Sequence, residues 1–312
     1  MAIVRTINIS KTYHLRSFFR RHSVVALKDV TVEVPEDSIV AVVGESGSGK
    51  STLARMLLGL ERPDSGKVLF KGQPLEEFDK AQWKVFRRSV SVVFQDPFAS
   101  LNPRMDVYSI LSEPLKVHRV CKGSELKERV VSLLKAVDLS EEHLNRYPHE
   151  FSGGQRQRLC IARALALEPE LLVADEPLSA LDVSVQAQIV NLLQKLKSRN
   201  RLSILLVSHD LELVRYLAEY VYIMFQGRVV EEAPGDVLFD EPLHPYTRVL
   251  LDSVPRIRAE RLKRRQHPQV DDNGTENRGC AFYGRCPEKM PVCAEQEPEL
   301  KDLKDRKVAC FR

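Results

Sequence analysis

At 312 residues and 43% hydrophobic content, the chain can form one large domain with an appendage, or two modest domains, around a substantial buried core. Lys+Arg 47 against Asp+Glu 43 leaves +4 with His neutral, too near balance for the whole surface to bind a polyanion, so any basic role is local. The opening MAIVRTINISKTYHL lacks the charged start and long apolar run of a secretory signal, and no stretch approaches about 18 uninterrupted apolar residues, so a soluble, cytosolic chain is expected.

Ser38 to Val43 (SIVAVV) is a nearly continuous apolar run, which predicts a strand buried on both faces of a parallel sheet. Leu53, Met56, Leu57 and Leu60 repeat at i, i+3, i+4 and i+7 and predict one buried face of a helix. Between strand and helix stands GESGSGKST, residues 44 to 52, where backbone N–H groups and the helix N-terminus can hold a triphosphate. Gly44, Gly47 and Gly49 let the backbone curl around phosphate oxygens. Lys50 places a charge on the β- and γ-phosphates, and the Ser51 hydroxyl can ligate Mg²⁺. A glycine-rich turn without a ligand is the plainer alternative, and the flanking strand and helix weigh against it.

Val90 to Phe94 predicts another strand, closed by Gln95, which could sense Mg²⁺ and an attacking water. At FSGGQ, residues 151 to 155, a helix is predicted from Gly153 to about Leu167 with Leu159, Ala162, Leu165 and Ala166 on its inner face. Ser152 and the N–H groups of Gly153 and Gly154 then form an anion nest at a positive helix end, or simply an N-cap. One triphosphate needs one phosphate loop, so this second cradle is read as completing the site of a second chain packed head to tail.

Leu171 to Ala174 predicts a strand ending in Asp175 and Glu176, carboxylates at the C-terminal edge of the sheet. Asp175 suits Mg²⁺ held through water, and Glu176 suits orientation and deprotonation of the attacking water; a helix-capping turn is the alternative. Ile204 to Val207 ends at Ser208-His209-Asp210, and His209 could contact the γ-phosphate; taken alone, a strand-end histidine is more often structural. Cys121 and Cys160 stand alone, while Cys280, Cys286, Cys293 and Cys310 crowd the end with spacing C-x5-C-x6-C-x16-C. In a reducing compartment disulfides are disfavoured, and four thiolates could hold Zn²⁺ or an iron–sulfur cluster, although the CxxC pairs of zinc ribbons are missing. The basic run from Arg256 to Arg265 reads as a solvated helix face or linker, with lipid headgroup contact as a minor alternative.

GESGSGKST, Gln95, FSGGQRQR, LLVADEPLSALD and His209 resemble, in order, the Walker A, Q-loop, signature, Walker B with D-loop, and H-loop of an ATP-binding cassette ATPase. The resemblance covers roughly residues 1 to 250 and implies an α/β fold. Its parts would be a RecA-like P-loop NTPase core of parallel sheet, an antiparallel β subdomain, an α-helical subdomain at about 96–165 and, at 251–312, a small Cys-rich extension. Leu126, Val130, Leu133, Leu134 and Val137 mark an amphipathic helix of the helical subdomain, which in that family receives the coupling helices of membrane subunits. The resemblance assigns nucleotide contacts to Gly44, Ser46, Gly47, Gly49, Lys50, Ser51 and Thr52. It assigns further ones to Ser152, Gly153, Gly154 and Gln155 across a dimer interface, and to Asp182 of the D-loop Ser179–Asp182. It assigns catalysis to Glu176, His209 and Gln95, and Mg²⁺ to Ser51, Gln95 and Asp175. Tyr13 matches the adenine-stacking aromatic, though a strand tyrosine is as often core. Phe151 stands where the family usually has Leu, a packing position.

HPYTRVLL, GCAFYGRCP and VACF resemble the C-terminal extension of the oligopeptide/dipeptide/nickel importer subfamily, whose cysteine quartet is associated with a [4Fe–4S] cluster. That ranks the cluster ahead of Zn²⁺, and Zn²⁺ ahead of free thiols; HPQVDDNGTENRG replaces the family's Pro-rich lead-in. LRSFFRRHSVVALKDV resembles the second ATPase subunit of these transporters, so a heterodimer is expected rather than a homodimer. The expectation is an ATPase at the cytoplasmic face of the membrane, driving uptake of di- or oligopeptides or a related small solute. Its expected partners are a homologous second ATPase subunit, two transmembrane permeases and, through the complex, an extracytoplasmic solute-binding protein, with no nucleic acid. The alternatives are uptake of nickel or oligosaccharide, and a nucleic-acid-linked ATPase, which usually carries a coiled-coil insertion or second cassette.

Overall fold

The computed structural model describes residues 1–16, 21–179, 181–253 and 279–312. Residues 17–20 of the amino-terminal insert, Ala180 of the D-loop, the basic run Arg256 to Arg265 and most of the lead-in to the first cysteine lie outside the described residues. The chain begins with β1 (Ala2–Arg16), β2 (Arg21–Val30), β3 (Glu33–Pro35), β4 (Ile39–Val43), α1 (Lys50–Leu57), β5 (Ser65–Phe70) and β6 (Gln73–Pro74). It continues through α2 (Lys80–Ser89), β7 (Val90–Val93), α3 (Pro97–Ser100), α4 (Val107–Val117), α5 (Gly123–Ala136), α6 (Gly153–Leu165) and β8 (Leu171–Asp175). Then come α7 (Val183–Asn200), β9 (Ser203–Ser208), α8 (Leu211–Leu217), β10 (Tyr220–Phe225), β11 (Arg228–Pro234), α9 (Gly235–Asp240) and α10 (Pro245–Asp252). Two short strands, β12 (Lys301–Leu303) and β13 (Arg306–Val308), close the chain. Contacts divide it into two compact units: Met1–Val4, Glu33–Ser38 and Leu69–Val207 form the first, and Arg5–Val32, Ile39–Val68 and Ser208–Arg312 the second.

In the first unit β7, β8 and β9 run parallel, with Val92 opposite Val173 and Ala174 opposite Leu206. Strands covered on both faces read as unbroken apolar runs, and Leu171 to Ala174 and Ile204 to Val207 are all buried. Each Leu, Ile or Val among them contributes about 1.5–3 kcal/mol by leaving water. The stretch 96–165 carries α3, α4, α5 and α6 and no strand. Leu126, Val130, Leu133, Leu134 and Val137 are buried, as the helical spacing requires, where α5 packs on α4 and α6. α2 opens on a reciprocal cap between Asp79 and Gln82, and its Trp83 and Phe86 meet Phe70 and Phe78 edge-on.

The second unit holds the antiparallel pair β1 and β2, and the parallel pair β4 and β10 with Val40 opposite Tyr220 and Val43 opposite Ile223. All five residues of β4 are buried. A two-residue turn, Gln226-Gly227, reverses the chain into β11, both residues having positive φ (44° and 79°). β13 adds antiparallel to β11 and pairs with β12, so the far C-terminus extends this unit's sheet. One expectation fails: α1 stops at Leu57, and Leu60 is 63% exposed rather than on its buried face. Gly59 adopts φ 64°, its N–H bonds to Met56 O, and the N–H of Leu60 bonds to Arg55 O, a left-handed glycine stop that turns the chain off the helix.

Candidate nucleotide site

The phosphate loop leaves β4 at Gly44 and enters α1 at Lys50, inside the second unit. Gly44 is dictated by close approach, since a Cβ there would lie 2.2 Å from the Met224 carbonyl oxygen; Gly49 adopts φ 103° and its Cβ would meet Ala26 O at 2.4 Å. Ser46 and Gly47 are exposed at the tip, and Ser51 and the half-buried Thr52 follow in the first turn of α1. Lys50 is 5% exposed, and its Nζ donates to the carbonyls of Gly44 at 2.7 Å and Glu45 at 2.9 Å. The loop thus keeps a cation at the helix start, where the first N–H groups have no partners within the helix. Tyr13, half-buried on β1, donates from its hydroxyl to Glu61 at 2.7 Å, and burial and that carboxylate raise its pKa. His209 follows β9 and is exposed; the neighbouring Asp210 caps α8 through the N–H groups of Glu212 and Leu213.

Two contacts join this loop to residues far along the chain. The Glu45 N–H donates to the hydroxyl of Tyr246 at 3.0 Å, and the Glu45 carboxylate accepts both arms of the Arg285 guanidinium at 2.8 and 2.6 Å. The Arg285 guanidinium beside Glu45 holds its carboxyl below the usual range, and burial pushes the Tyr246 phenol up to about 12. Only the HPY triplet pointed toward Tyr246; nothing local in the sequence joins Arg285 to a residue 240 positions away.

The first unit carries Gln95, Asp175, Glu176 and the SGGQ helix. Gln95 Nε2 donates to Glu176 Oε2 at 2.9 Å, so the ends of β7 and β8 meet at the carboxylate. Glu176 sits at φ 46°, a conformation that costs about 1–2 kcal/mol for a residue with a Cβ. It is pinned there by its N–H on Val207 O at 2.8 Å and by the Ser179 hydroxyl donating to its carbonyl at 3.1 Å. Asp175 ends β8 opposite Val207.

Ser152 is the N-cap of α6: its Oγ accepts from Gln155 N–H, and Gln155 Oε1 accepts from Ser152 N–H. The cap uses only an acceptor function of the exposed hydroxyl, whose proton remains able to donate to an anion. Gly154 packs against α7, where a Cβ would lie 2.3 Å from Val185 Cγ1, and a Cβ at Gly153 would lie 3.4 Å from Leu181 Cδ2. The signature turn and the D-loop are therefore one surface, on which Ser152 and Asp182 are exposed and Gln186 Nε2 ties the carbonyls of Leu178 and Leu181. Phe151 is 3% exposed and packs edge-on to His143, the packing role expected of it.

Cys280, Cys286, Cys293 and Cys310 line one small cavity with Phe282, Met290 and Phe311. Burial raises the thiol pKa of Cys280 and Cys286, and the neighbouring Cys293 and Cys310 add to it. Among the described residues no three His, Cys, Asp or Glu side chains converge to hold a metal ion. Cys160 is buried and held as a thiol, its pKa pushed up to about 11. Among the described residues no helix is long and apolar enough to cross a membrane.

Residues 27–179 match the family model for the ABC transporter, and a dimeric ATP-binding cassette solved in a post-hydrolysis state with ADP and Pi superposes at TM-score 0.66 and 32% identity. That alignment covers 74% of this chain and 98% of the other, and the fold and site define an ABC-type ATPase. Residues 230–293 match the oligopeptide/dipeptide transporter C-terminal region. The di/tripeptide transport ATP-binding protein DppF of Pseudomonas aeruginosa is 45% identical over 95% of this chain and 92% of its own. The dipeptide transport ATP-binding protein DppF of Escherichia coli is 42% identical over 99% and 94%. The chain belongs to the ATP-binding proteins of the oligopeptide/dipeptide group of ABC transporters.

Proposed function

We propose that this chain powers import of di- or oligopeptides, binding ATP at the loop Gly44–Thr52 and hydrolysing it at an interface with a second cassette. The observation that carries the reading is the buried Lys50 ammonium held at the helix start by its own loop's carbonyls, a cation in place for anionic phosphates. Peptide uptake is supported by the tail match and by relatives named for dipeptide and tripeptide transport. The working partners are a non-identical ATPase sibling, two permease subunits at the cytoplasmic face of the membrane, and a solute-binding protein outside.

Ser51, Gln95 and Asp175 are the residues that would hold Mg²⁺, and the ion would neutralise phosphate charge. Glu176 then orients and deprotonates the attacking water, and the amide of Gln95 fixes the rotamer of that carboxylate. His209 contacts the γ-phosphate, and Tyr13 lies under the adenine. The exposed Ser152 hydroxyl and the first N–H groups of α6, with Gly153, Gly154 and Gln155, serve the nucleotide of the opposing chain, and Asp182 crosses the same interface. Glu176→Gln is expected to keep Mg-ATP affinity, to lower phosphate release by about 100-fold or more, and to trap a two-cassette complex on size exclusion. Turnover at the wild-type rate would remove Glu176 from the mechanism.

The cysteine cavity suits a [4Fe–4S] cluster better than one zinc ion. Four thiols line it together with His244 and Glu288, no three such side chains among the described residues converge as one ion requires, and a cluster takes thiolates set wider apart than a single ion does. Bound there, it would cross-link a segment too small to hold itself together by burial.

A further inference from the structure

The C-terminal segment reaches the phosphate loop at one residue, from two sides. Tyr246, fully buried at the start of α10, accepts the Glu45 N–H at 3.0 Å, which removes that amide from the set available to phosphate. Arg285 grips the Glu45 carboxylate with two parallel bonds at 2.8 and 2.6 Å. The guanidinium is itself seated, lying 5.7 and 5.6 Å from the ring centres of Phe225 and Phe282, and Tyr246 packs on both rings at 4.6 and 5.4 Å. Arg285 ends a tight turn, Tyr283–Arg285, bounded by Cys280 and Cys286, whose N–H groups and carbonyls close it (Tyr283 N–H on Cys280 O, Cys286 N–H on Tyr283 O). The turn is tied back where Cys280 N–H bonds to Cys293 O at 2.8 Å.

The electrostatic problem lies in the loop. Glu45 follows Gly44 directly, and its carbonyl already binds the Lys50 ammonium. Left unpaired, its carboxylate would add negative charge beside a triphosphate and compete for Lys50. The bidentate arginine neutralises that charge and fixes its direction. We propose that Arg285 is a positioning residue for nucleotide binding: it holds the Glu45 carboxylate away from Lys50, so that the cysteine-bearing segment sets the affinity of the phosphate loop. The proposal rests on the reading of Gly44–Thr52 as the triphosphate cradle, and it deepens that reading by giving the C-terminal segment a part in it.

The test is a double-mutant cycle on the full-length chain, read as the Kd for a fluorescent ATP analogue with Mg²⁺ alongside the melting temperature of each variant. Arg285→Ala is expected to weaken binding about three- to tenfold, more at low salt than at high. Glu45→Gln with Arg285→Ala is expected to bind like the wild type, because the charge that needed neutralising is gone. If Arg285→Ala does not fold, Arg285→Gln, which keeps a flat amide over Phe225 and Phe282 but no charge, takes its place in the cycle. Unchanged affinity in the single variant, or the same loss when Glu45 is already Gln, overturns the proposal, the second outcome meaning that Arg285 only packs the tail. A wild-type chain that fails to bind the analogue overturns the cradle reading, a result distinct from either.

Discussion

Glycines of the two cradles do different physical jobs, and one of them separates packing from chemistry. Gly154 lies in the first turn of α6, and its missing Cβ is what lets that turn seat on Val185. Val185 is β-branched, and a helix strongly favours one χ1 rotamer for it, so it has little room to retreat. Gly154→Ala should therefore destabilise the fold by about 1–3 kcal/mol through overpacking, and Val185→Ala in the same chain should return most of the loss. Chemical denaturation of the two single variants and the double reads this directly. A Gly154→Ala chain as stable as the wild type would show that α7 shifts freely and that the residue's role lies wholly in anion binding. Glu176 is a second case: a carboxylate held at positive φ by bonds to Val207 and Ser179 gains its aim from the ends of two neighbouring strands.

At the scale of the element, α10 is held by a buried histidine. His244 Nδ1 accepts the Tyr246 N–H at 3.0 Å as an N-cap, which requires a neutral ring, and the residue is 2% exposed. Burial lowers its pKa from 6.5 to about 4. Because the folded value lies below the unfolded one, the stabilisation is present above about pH 6.5 and is lost as pH falls toward 4, at most about 3 kcal/mol. Glu231, buried on β11 and accepting the N–H groups of Leu243 and His244, has the opposite sign: its pKa is raised by burial, so its contribution declines as pH rises through that folded value. His244→Asn keeps a capping oxygen without the titration. Its unfolding free energy between pH 6.5 and 4 should be flatter than the wild type by about one proton. Parallel curves for the two chains would assign the acid sensitivity elsewhere.

For the whole molecule, the segment 279–312 adds two short strands to β11 and a cavity lined by four cysteines, with little apolar burial beyond Phe282, Cys293, Val308 and Ala309. So small a core needs a cross-link. Anaerobically purified protein is expected to absorb near 400 nm and to carry iron and acid-labile sulfide, and Cys286→Ser should lose that absorbance together with resistance of the segment to proteolysis. Colourless protein containing stoichiometric zinc would replace the cluster with a single ion.

The sequence by itself determined the strands β4, β7, β8 and β9 and which polar residues stand at their ends. Strands covered on both faces are apolar along their whole length, which makes their runs legible, and a glycine-rich loop between strand and helix is the pattern of an anion cradle. It also signalled Gly59, whose stop for α1 a purely periodic reading of Leu60 overlooked. Only the tertiary structure decided that Gln95 meets Glu176, that Gly154 is required by Val185, and that Glu45 is clamped by Tyr246 and Arg285. Each of these joins side chains far apart in the chain, and their spacing carries no periodic trace. A local pattern records what a residue does to its own strand or helix, whereas a contact across 240 positions is fixed only when the sheet has brought both ends to one place.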